Sequence, residues 1–228
     1  MNPLSKLKHW ERNTRLTLGH DLSDPVQRRR AFWQYQLLDH AFLRHWWTNF
    51  DQIAPGVYRS NQPSHRRFER YAAMGIKSVL NLRGAGHHAR YLFEKETVDA
   101  LGLTMINVSL QARKAPTREA VQALIAAFRQ IDRPFLMHCK SGADRAGLAS
   151  AIYLMVIEGK GVEEARKMLS LRYVHLRGTR TGVLDHVLDV YDARNSASPI
   201  GFEEWIATEY DGDAVQADFE SRYGKRRL

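Results

Sequence analysis

One stretch of the chain, residues 135–147, limits its fold more than any other. It reads Phe-Leu-Met-His-Cys-Lys-Ser-Gly-Ala-Asp-Arg-Ala-Gly and holds the only cysteine, Cys139. The apolar run before Cys139 predicts a buried strand, and the apolar residues after Gly147 predict a helix. A strand, a loop with Gly142 and a helix in this order direct loop amides and a helix N-terminus at one place. The stretch therefore predicts an anion site within an α/β fold.

The residue types at this site suit phosphate chemistry. The helix dipole, the loop amides and the guanidinium of Arg145 would all stabilise a thiolate at Cys139. Arg145 also offers a planar pair of donors that matches two phosphate oxygens, and Gly142 lets the backbone turn with its amides inward. Cys139 is thus a candidate nucleophile that could form a thiophosphate. The alternative is a buried core thiol at Cys139, with Arg145 as a charge at the helix start.

The pattern His-Cys-x5-Arg followed by Ala-Gly resembles the signature loop of the cysteine-dependent protein tyrosine and dual-specificity phosphatase superfamily, in its compact bacterial type. It is also similar to the Cys-x-x-Gly-x-Asp-Arg variant of phosphatases that accept phosphoinositides, which corresponds to Cys139, Gly142, Asp144 and Arg145. The resemblance spans about residues 57–191. It implies metal-independent phosphomonoester hydrolysis through a cysteinyl-phosphate, with Cys139 and Arg145 as catalytic residues. The substrate-binding residues of the loop would be Lys140, Ser141, Gly142 and Ala143.

Two departures from the family pattern and two further candidate site residues accompany this resemblance. Arg83 follows a strand predicted over residues 76–82, as in the compact phosphatases, and is a candidate second phosphate contact; a surface charge is the alternative. The loop at residues 109–116 has no Asp or Glu, where the family usually places its general acid. Asp144 then resembles the loop Asp suggested as the acid in some phosphoinositide phosphatases, or it accepts amides at the helix start. Ala146 replaces the Ser or Thr that commonly assists thiolate release.

Length and composition fit one domain with extensions. A chain of 228 residues with 44% hydrophobic content can bury a sizeable core. We expect an α/β fold of the dual-specificity-phosphatase kind, with a central, mostly parallel sheet of four or five strands flanked by helices. Composition shifts near Pro55, which predicts a basic, Trp-rich helical extension at 1–54. The phosphatase domain is predicted at 55–195 and a C-terminal helical extension at 196–228.

Charge and motif content narrow the partners. The net charge of +9 favours an anionic partner: a phosphorylated protein or lipid substrate, or an acidic membrane surface. We expect no nucleic-acid partner, metal or cofactor, because no aromatic RNA platform, zinc-ligand spacing or dinucleotide fingerprint occurs. A single cysteine fits a reducing compartment, and no apolar segment of spanning length is present. The expected location is cytoplasmic, with peripheral association at the inner membrane surface as an option.

The N-terminal extension carries four of the five tryptophans. Asp24 and Pro25 predict a helix start, and the helix is expected over residues 25–47. Arginines at 28, 29 and 30 lie in its first turns, where the helix dipole disfavours cations. Two hypotheses follow: the helix lies on an anionic membrane surface, or it packs its apolar face on the catalytic domain and solvates its arginines.

Two other function classes fit part of the pattern. A catalytically weak phosphate-binding module, a pseudophosphatase, would use the same loop, and both Ala146 and the missing acid favour it. A rhodanese-like sulfur carrier also has a six-residue loop that begins at Cys, but Arg145 followed by Gly147 argues against it.

Overall fold

The computed structural model describes residues 22–39 and 41–224, which form an α/β fold. The strands are β1 (Asp51–Ala54), β2 (Val57–Asn61), β3 (Ser78–Asn81), β4 (Thr104–Asn107) and β5 (Phe135–Cys139). The helices are α1 (Pro25–Leu38), α2 (His65–Ala73), α3 (Ala89–Ala100), α4 (Arg118–Gln130), α5 (Asp144–Val156), α6 (Val162–Arg166), α7 (Val183–Ala197), α8 (Phe202–Thr208) and α9 (Gly212–Tyr223). Short 3-10 helices lie at Ala41–His45, Leu171–Tyr173 and Arg180–Gly182.

The five strands form one sheet in the order β1-β2-β5-β3-β4. Strand β5 is parallel to both β2 and β3, β3 is parallel to β4, and only the edge strand β1 runs antiparallel, beside β2. This arrangement confirms the predicted fold class. The register pairs Cys139 with Asn61 and His138 with Asn81. The carboxyl ends of three neighbouring strands therefore meet at one edge, where α/β sheets bind their ligands.

The central strand β5 is apolar because both faces of the sheet are covered. All five of its residues are buried, as expected for a strand inside a parallel sheet. Phe135 and Met137 belong to the larger core cluster, and Leu136 belongs to a second cluster on the opposite face. The C-terminal helices α8 and α9 add Trp205 and Phe219 to the larger cluster. They therefore complete the core.

The N-terminal region differs from its prediction in two ways. Helix α1 ends at Leu38 rather than near residue 47, because the chain turns at Asp39, whose carboxylate binds Arg44 and Arg83. Strand β1 was not predicted, and it enters the sheet before residue 55, the expected start of the phosphatase domain. At the other end, α7 continues to Ala197, past residue 195, the expected end of the phosphatase domain. The three-part division of the chain stays a prediction.

Within residues 22–39 and 41–224, no helix has both the length and the apolar content that crossing a bilayer requires.

Candidate active site

The cysteine loop, residues 139–145, leaves the carboxyl end of β5 and runs into the first turn of α5. Cys139 is buried, with 1% of its surface exposed. Gly142 adopts φ +75°, and a Cβ there would lie 2.6 Å from the amide nitrogen of Asn61 and 2.7 Å from the carbonyl carbon of Ser60. The loop therefore packs directly on the end of β2, and only glycine fits at its turn.

Arg145 lies in the first turn of α5, six residues after Cys139. Its Nε is buried and has no hydrogen-bond partner among the described residues. A buried guanidinium donor is rarely left unsatisfied, and an incoming oxyanion is the ligand that its fork matches. Arg145 therefore has a donor available for an oxyanion, on the same loop as the Cys139 thiol.

Arg59 in β2 supports the cysteine loop through hydrogen bonds, and the sequence analysis did not identify it. Its side chain is fully buried, its Nη2 donates to the carbonyl of Gly142 at 2.5 Å, and its Nη1 donates to the carbonyl of Met168 at 2.8 Å. The guanidinium also lies over the ring of Tyr173, 3.6 Å from its centroid. Burial lowers the pKa of Arg59 to about 10, although the charges of Tyr173 and Cys139 oppose this. Arg59 therefore remains a cation and places positive charge under the loop.

Asn49 ties the loop to the segment that follows α6. Its Nδ2 donates to the carbonyls of Ser141 at 2.9 Å and Tyr173 at 2.8 Å. Asn49 has φ +49°, a left-handed conformation that asparagine tolerates better than most residues. An Asn just before a strand was the available signal for this turn, but its partners lie far along the chain.

Asp144 forms a buried chain of charges with His175 and Asp185. The Nδ1 of His175 lies 2.7 Å from Oδ1 of Asp144, and its Nε2 lies 2.7 Å from Oδ2 of Asp185. Burial would lower the pKa of His175, but its hydrogen bonds to the two carboxylates outweigh burial and raise the pKa to about 9. At neutral pH the imidazolium thus donates to both carboxylates and joins α5 to α7.

Arg83 and Lys140 share the carboxylate of Asp39. Arg83 Nη2 lies 2.8 Å from Asp39 Oδ1, and Lys140 Nζ lies 3.6 Å from the same oxygen. Burial would raise the pKa of Asp39, but hydrogen bonding to Arg83 and the nearby charges hold it well below its usual range. Arg83 has 8% of its side chain exposed, so the alternative of a surface charge is wrong. Asp39 was missed because it lies 44 residues from Arg83 in sequence.

The sequence-predicted site residues thus come together at one edge of the sheet. Cys139, Asp144 and Arg145 are contiguous with the four predicted phosphate-binding residues. Arg83 is linked to this loop because Asp39 binds both Arg83 and Lys140. The loop at residues 109–116 is anchored at both ends: Ser109 bridges to Arg83, and the amide of Ala115 donates to Gln216. In the described part of the chain, no group of three His, Cys, Asp or Glu side chains could hold a metal ion.

A family model covers the part of the chain that builds this site. The family is described as DSP-PTPase phosphatase fused to NAD+ kinase, and its model matches residues 46–182. The chain belongs to this family. It is therefore a phosphatase of the protein tyrosine and dual-specificity type, as the cysteine loop predicted. The match includes Cys139 and Arg145, but Asp39 precedes it and Asp185 follows it.

Solved structures share the fold. Tk-PTP in its active form superposes with a TM-score of 0.51 at 19% identity, over 64% of this chain and 97% of that one. TpbA from P. aeruginosa gives 0.49 at 18% identity, over 75% and 90%. The core catalytic domain of the PP-IP phosphatase SIW14 from S. cerevisiae gives 0.49 at 17%, over 68% and 96%. A sequence search among curated proteins finds no match.

Proposed function

We propose that the protein hydrolyses phosphomonoesters without a metal ion, with Cys139 as the nucleophile. The observation that carries the proposal is the cysteine loop itself: it begins with a buried thiol at the end of the central strand, and its Arg145 keeps a buried donor without a partner among the described residues. The buried cation of Arg59 under the same loop adds to the positive field. All three features favour an anion at this place.

The proposed reaction has two steps. The Cys139 thiolate attacks phosphorus, a sulfur–phosphorus bond forms, and the bond from phosphorus to the leaving oxygen breaks. Arg145 and the loop residues Lys140, Ser141, Gly142 and Ala143 bind the other phosphate oxygens throughout. The leaving oxygen takes a proton from an acid. A water molecule then attacks the cysteinyl-phosphate, which releases inorganic phosphate and the thiolate.

Asp144 is the proposed acid, and its position allows a second role. It lies on the cysteine loop beside Arg145, and its Oδ1 is bound to His175. A protonated Asp144 could donate from its other oxygen, Oδ2. However, the contact between Asp144 and His175 also ties the loop to the segment that follows α6, which would make Asp144 a positioning residue instead.

The two roles of Asp144 differ in how they depend on the leaving group. If Asp144 is the acid, Asp144→Asn should slow hydrolysis of an alkyl phosphate by about 10²-fold or more and leave an aryl phosphate nearly unchanged, because an aryloxide leaves without a proton. If Asp144 only positions the loop, both substrates should slow by the same factor. Steady-state rates with the two substrates separate the roles.

The nucleophile is tested with a generic aryl phosphate, with reductant and with a metal chelator. We expect the wild type to release phosphate and Cys139→Ser to abolish release. The matched control is Ser150→Ala, which removes a buried hydroxyl bound to the Ala146 carbonyl on α5 and leaves every loop residue in place. This control should keep releasing phosphate. Hydrolysis that survives in Cys139→Ser would overturn the proposal.

The alternative is a phosphate-binding pseudophosphatase. Ala146 is fully buried where the superfamily commonly has Ser or Thr, and no acid lies in the loop at residues 109–116. Both features favour slow release of the intermediate. Vanadate or phosphate bound by an inactive wild type would establish this alternative. A panel of phosphopeptides and lipid phosphates after the aryl assay distinguishes phosphoprotein from phospholipid substrates.

We also propose that the N-terminal region associates with an anionic membrane surface on the cytoplasmic side. α1 packs on α3, where Phe32 and Tyr35 contact Phe93, but Trp33 and Trp46 lie outside this contact and are 54% and 81% exposed. Arg29 and Arg30 are exposed on the same helix as Trp33. Arginines of this kind are attracted to anionic lipid headgroups, and exposed tryptophans favour the membrane–water interface.

Point variants test this association without removing the helix. Replacing Trp33 and Trp46 together by Ser should reduce co-sedimentation with vesicles rich in phosphatidylserine. The matched control is Leu171→Ser, since Leu171 is 74% exposed elsewhere on the surface. Equal binding of the double variant, the control and the wild type would refute the membrane hypothesis.

A further inference from the structure

The carboxylate of Asp39 lies at the rim of the cysteine loop, bound by three cations. Its Oδ1 is 2.8 Å from Arg83 Nη2, and its Oδ2 is 2.9 Å from Nη1 of both Arg83 and Arg44. Lys140, the residue after Cys139, approaches Oδ1 at 3.6 Å. Two guanidinium groups and one ammonium group thus converge on one carboxylate.

This cluster carries more positive charge than Asp39 can neutralise. Three cations face its single carboxylate, and the side chains of Arg44 and Arg83 are only 6% and 8% exposed. A second carboxylate, that of Glu94, lies near Arg83 and contacts Nε2 of His138 at 2.5 Å, so three cations still outnumber the two carboxylates. In addition, the Nη2 of Arg44 is buried and has no hydrogen-bond partner among the described residues. Buried charges of one sign are costly unless they are compensated. A phosphate dianion would supply more charge and more acceptor oxygens than one carboxylate.

The position of the cluster connects it to the reaction centre. Lys140 is part of the cysteine loop, and Arg83 follows β3, whose carboxyl end adjoins β5. Gln62, at the end of β2, accepts a hydrogen bond from Arg83. Asp39 itself comes from the end of α1, outside the segment of residues 46–182 that the family model matches. The carboxylate of Asp39, which lies outside the matched segment, therefore binds the basic side chains beside the cysteine loop.

We propose that Asp39 is an internal stand-in for a second phosphate of the substrate. Arg83, Arg44 and Lys140 form a subsite for a phosphate group carried by the same small molecule as the phosphate that Cys139 attacks. Binding of this second phosphate displaces Asp39, and with it the end of α1. The enzyme then prefers molecules with two phosphate groups over those with one. This inference rests on the proposed function, since it takes the cysteine loop as the site of the first phosphate.

The subsite is tested by binding rather than turnover, in Cys139→Ser protein, so that a lack of hydrolysis does not affect the result. Isothermal titration calorimetry would compare methylphosphonate with bisphosphonates whose two groups are joined by methylene, propylene or hexylene. Ionic strength is held constant because salt screens such contacts. The measured quantity is the ratio of the dissociation constant of methylphosphonate to that of each bisphosphonate.

We expect Asp39→Asn to raise this ratio by about 10-fold for at least one bisphosphonate, because the isosteric amide has no charge and competes less strongly for the cations. Arg44→Gln should lower the ratio towards one in either background, while methylphosphonate affinity stays nearly constant. Ratios unchanged by both substitutions would overturn the inference and leave Asp39 as a contact that only docks α1. If Asp39→Asn does not fold, the ratio for Arg44→Gln in the Asp39 background decides the question by itself.

A second arm distinguishes a free ligand from a lipid headgroup. The same variants are titrated with a soluble inositol bisphosphate and with vesicles that contain the corresponding phosphoinositide. If Asp39→Asn gains affinity for both the soluble inositol bisphosphate and the vesicles, or for the soluble ligand only, the subsite is supported. This result indicates that the phosphorylated ring alone is recognised. A gain with vesicles only also supports the subsite and indicates a lipid. The inference is overturned if Asp39→Asn gains affinity for none of the bisphosphonates, nor for the soluble inositol bisphosphate, nor for the vesicles.

Discussion

Single buried polar side chains hold the cysteine loop in place. Arg59 donates to carbonyls on both the loop and the segment after α6, and Asn49 links the same two segments from the other side. Each of these hydrogen bonds satisfies a carbonyl that a loop leaves without a strand or helix partner. Long-range side chains therefore hold the loop in place, so that its own amides would need no rearrangement to bind an oxyanion.

The pair of carboxylates around His175 should make stability depend on pH. The pKa of His175 is raised from 6.5 to about 9 in the folded protein. Its stabilising effect is therefore complete below about pH 6.5 and is lost as pH rises through about 9. Between these limits the wild type should lose on the order of 3 kcal/mol of unfolding free energy relative to His175→Gln.

Urea denaturation at several pH values measures this difference. His87→Gln is the matched control, because His87 is exposed in a loop, and it should follow the wild type at every pH. A constant difference between the wild type and His175→Gln from pH 6 to pH 10 would contradict the assigned charge state.

At the scale of elements, the turn between β5 and α5 depends on one glycine. Gly142 has φ +75°, and a side chain there would collide with the backbone of Asn61 and Ser60 at the end of β2. Gly142→Ala must therefore move the loop away from β2 or strain its backbone. We expect phosphatase activity to fall by about 10²-fold or more, since small displacements of catalytic groups are costly.

The control for this substitution is Gly178→Ala, because a Cβ at Gly178 meets no atom within 4 Å. It should retain both activity and thermal stability. Aryl phosphate hydrolysis and thermal denaturation are measured for both variants. Full activity in Gly142→Ala would mean that the loop does not need its close approach to β2.

For the whole molecule, the core extends beyond the segment that the family model matches. Trp205 in α8 is 3% exposed and packs against Tyr191 and Tyr210, with ring centroids 5.4 and 5.0 Å apart. Arg118 at the start of α4 donates to the carbonyls of Ala207 and Tyr210. The C-terminal helices are thus integrated with the domain through both apolar packing and hydrogen bonds.

We therefore predict that Trp205→Ala destabilises the whole domain by about 3–5 kcal/mol, the usual cost of truncating a large buried aromatic side chain. Trp33→Ala provides the comparison, because Trp33 is 54% exposed and should cost little. Chemical denaturation monitored by circular dichroism gives both values. A cost below about 1 kcal/mol for Trp205→Ala, with a single transition, would show that α8 is dispensable for the core.

The sequence alone determined the features that depend on neighbouring residues. The strand, loop and helix around Cys139 follow from an apolar run, a glycine and a helical pattern within residues 135–147, and the alternation of strands and helices led to the α/β sheet. The helix predicted over residues 25–47 was too long, because its end depends on Asp39 meeting Arg83 and Arg44. Strand β1 was not predicted because four residues are too few to show a clear hydrophobic pattern.

Only the tertiary structure decided which distant residues complete the site. Asp39, Arg59 and His175 have ordinary sequence contexts, and each has at least one partner that lies 31 or more residues away in sequence, such as Asp144 for His175. Burial gives these charged groups their effect, because low polarity strengthens hydrogen bonds and ion pairs that water would weaken. Burial is a property of the packed molecule, so local sequence could indicate a candidate nucleophile but not the charges that surround it.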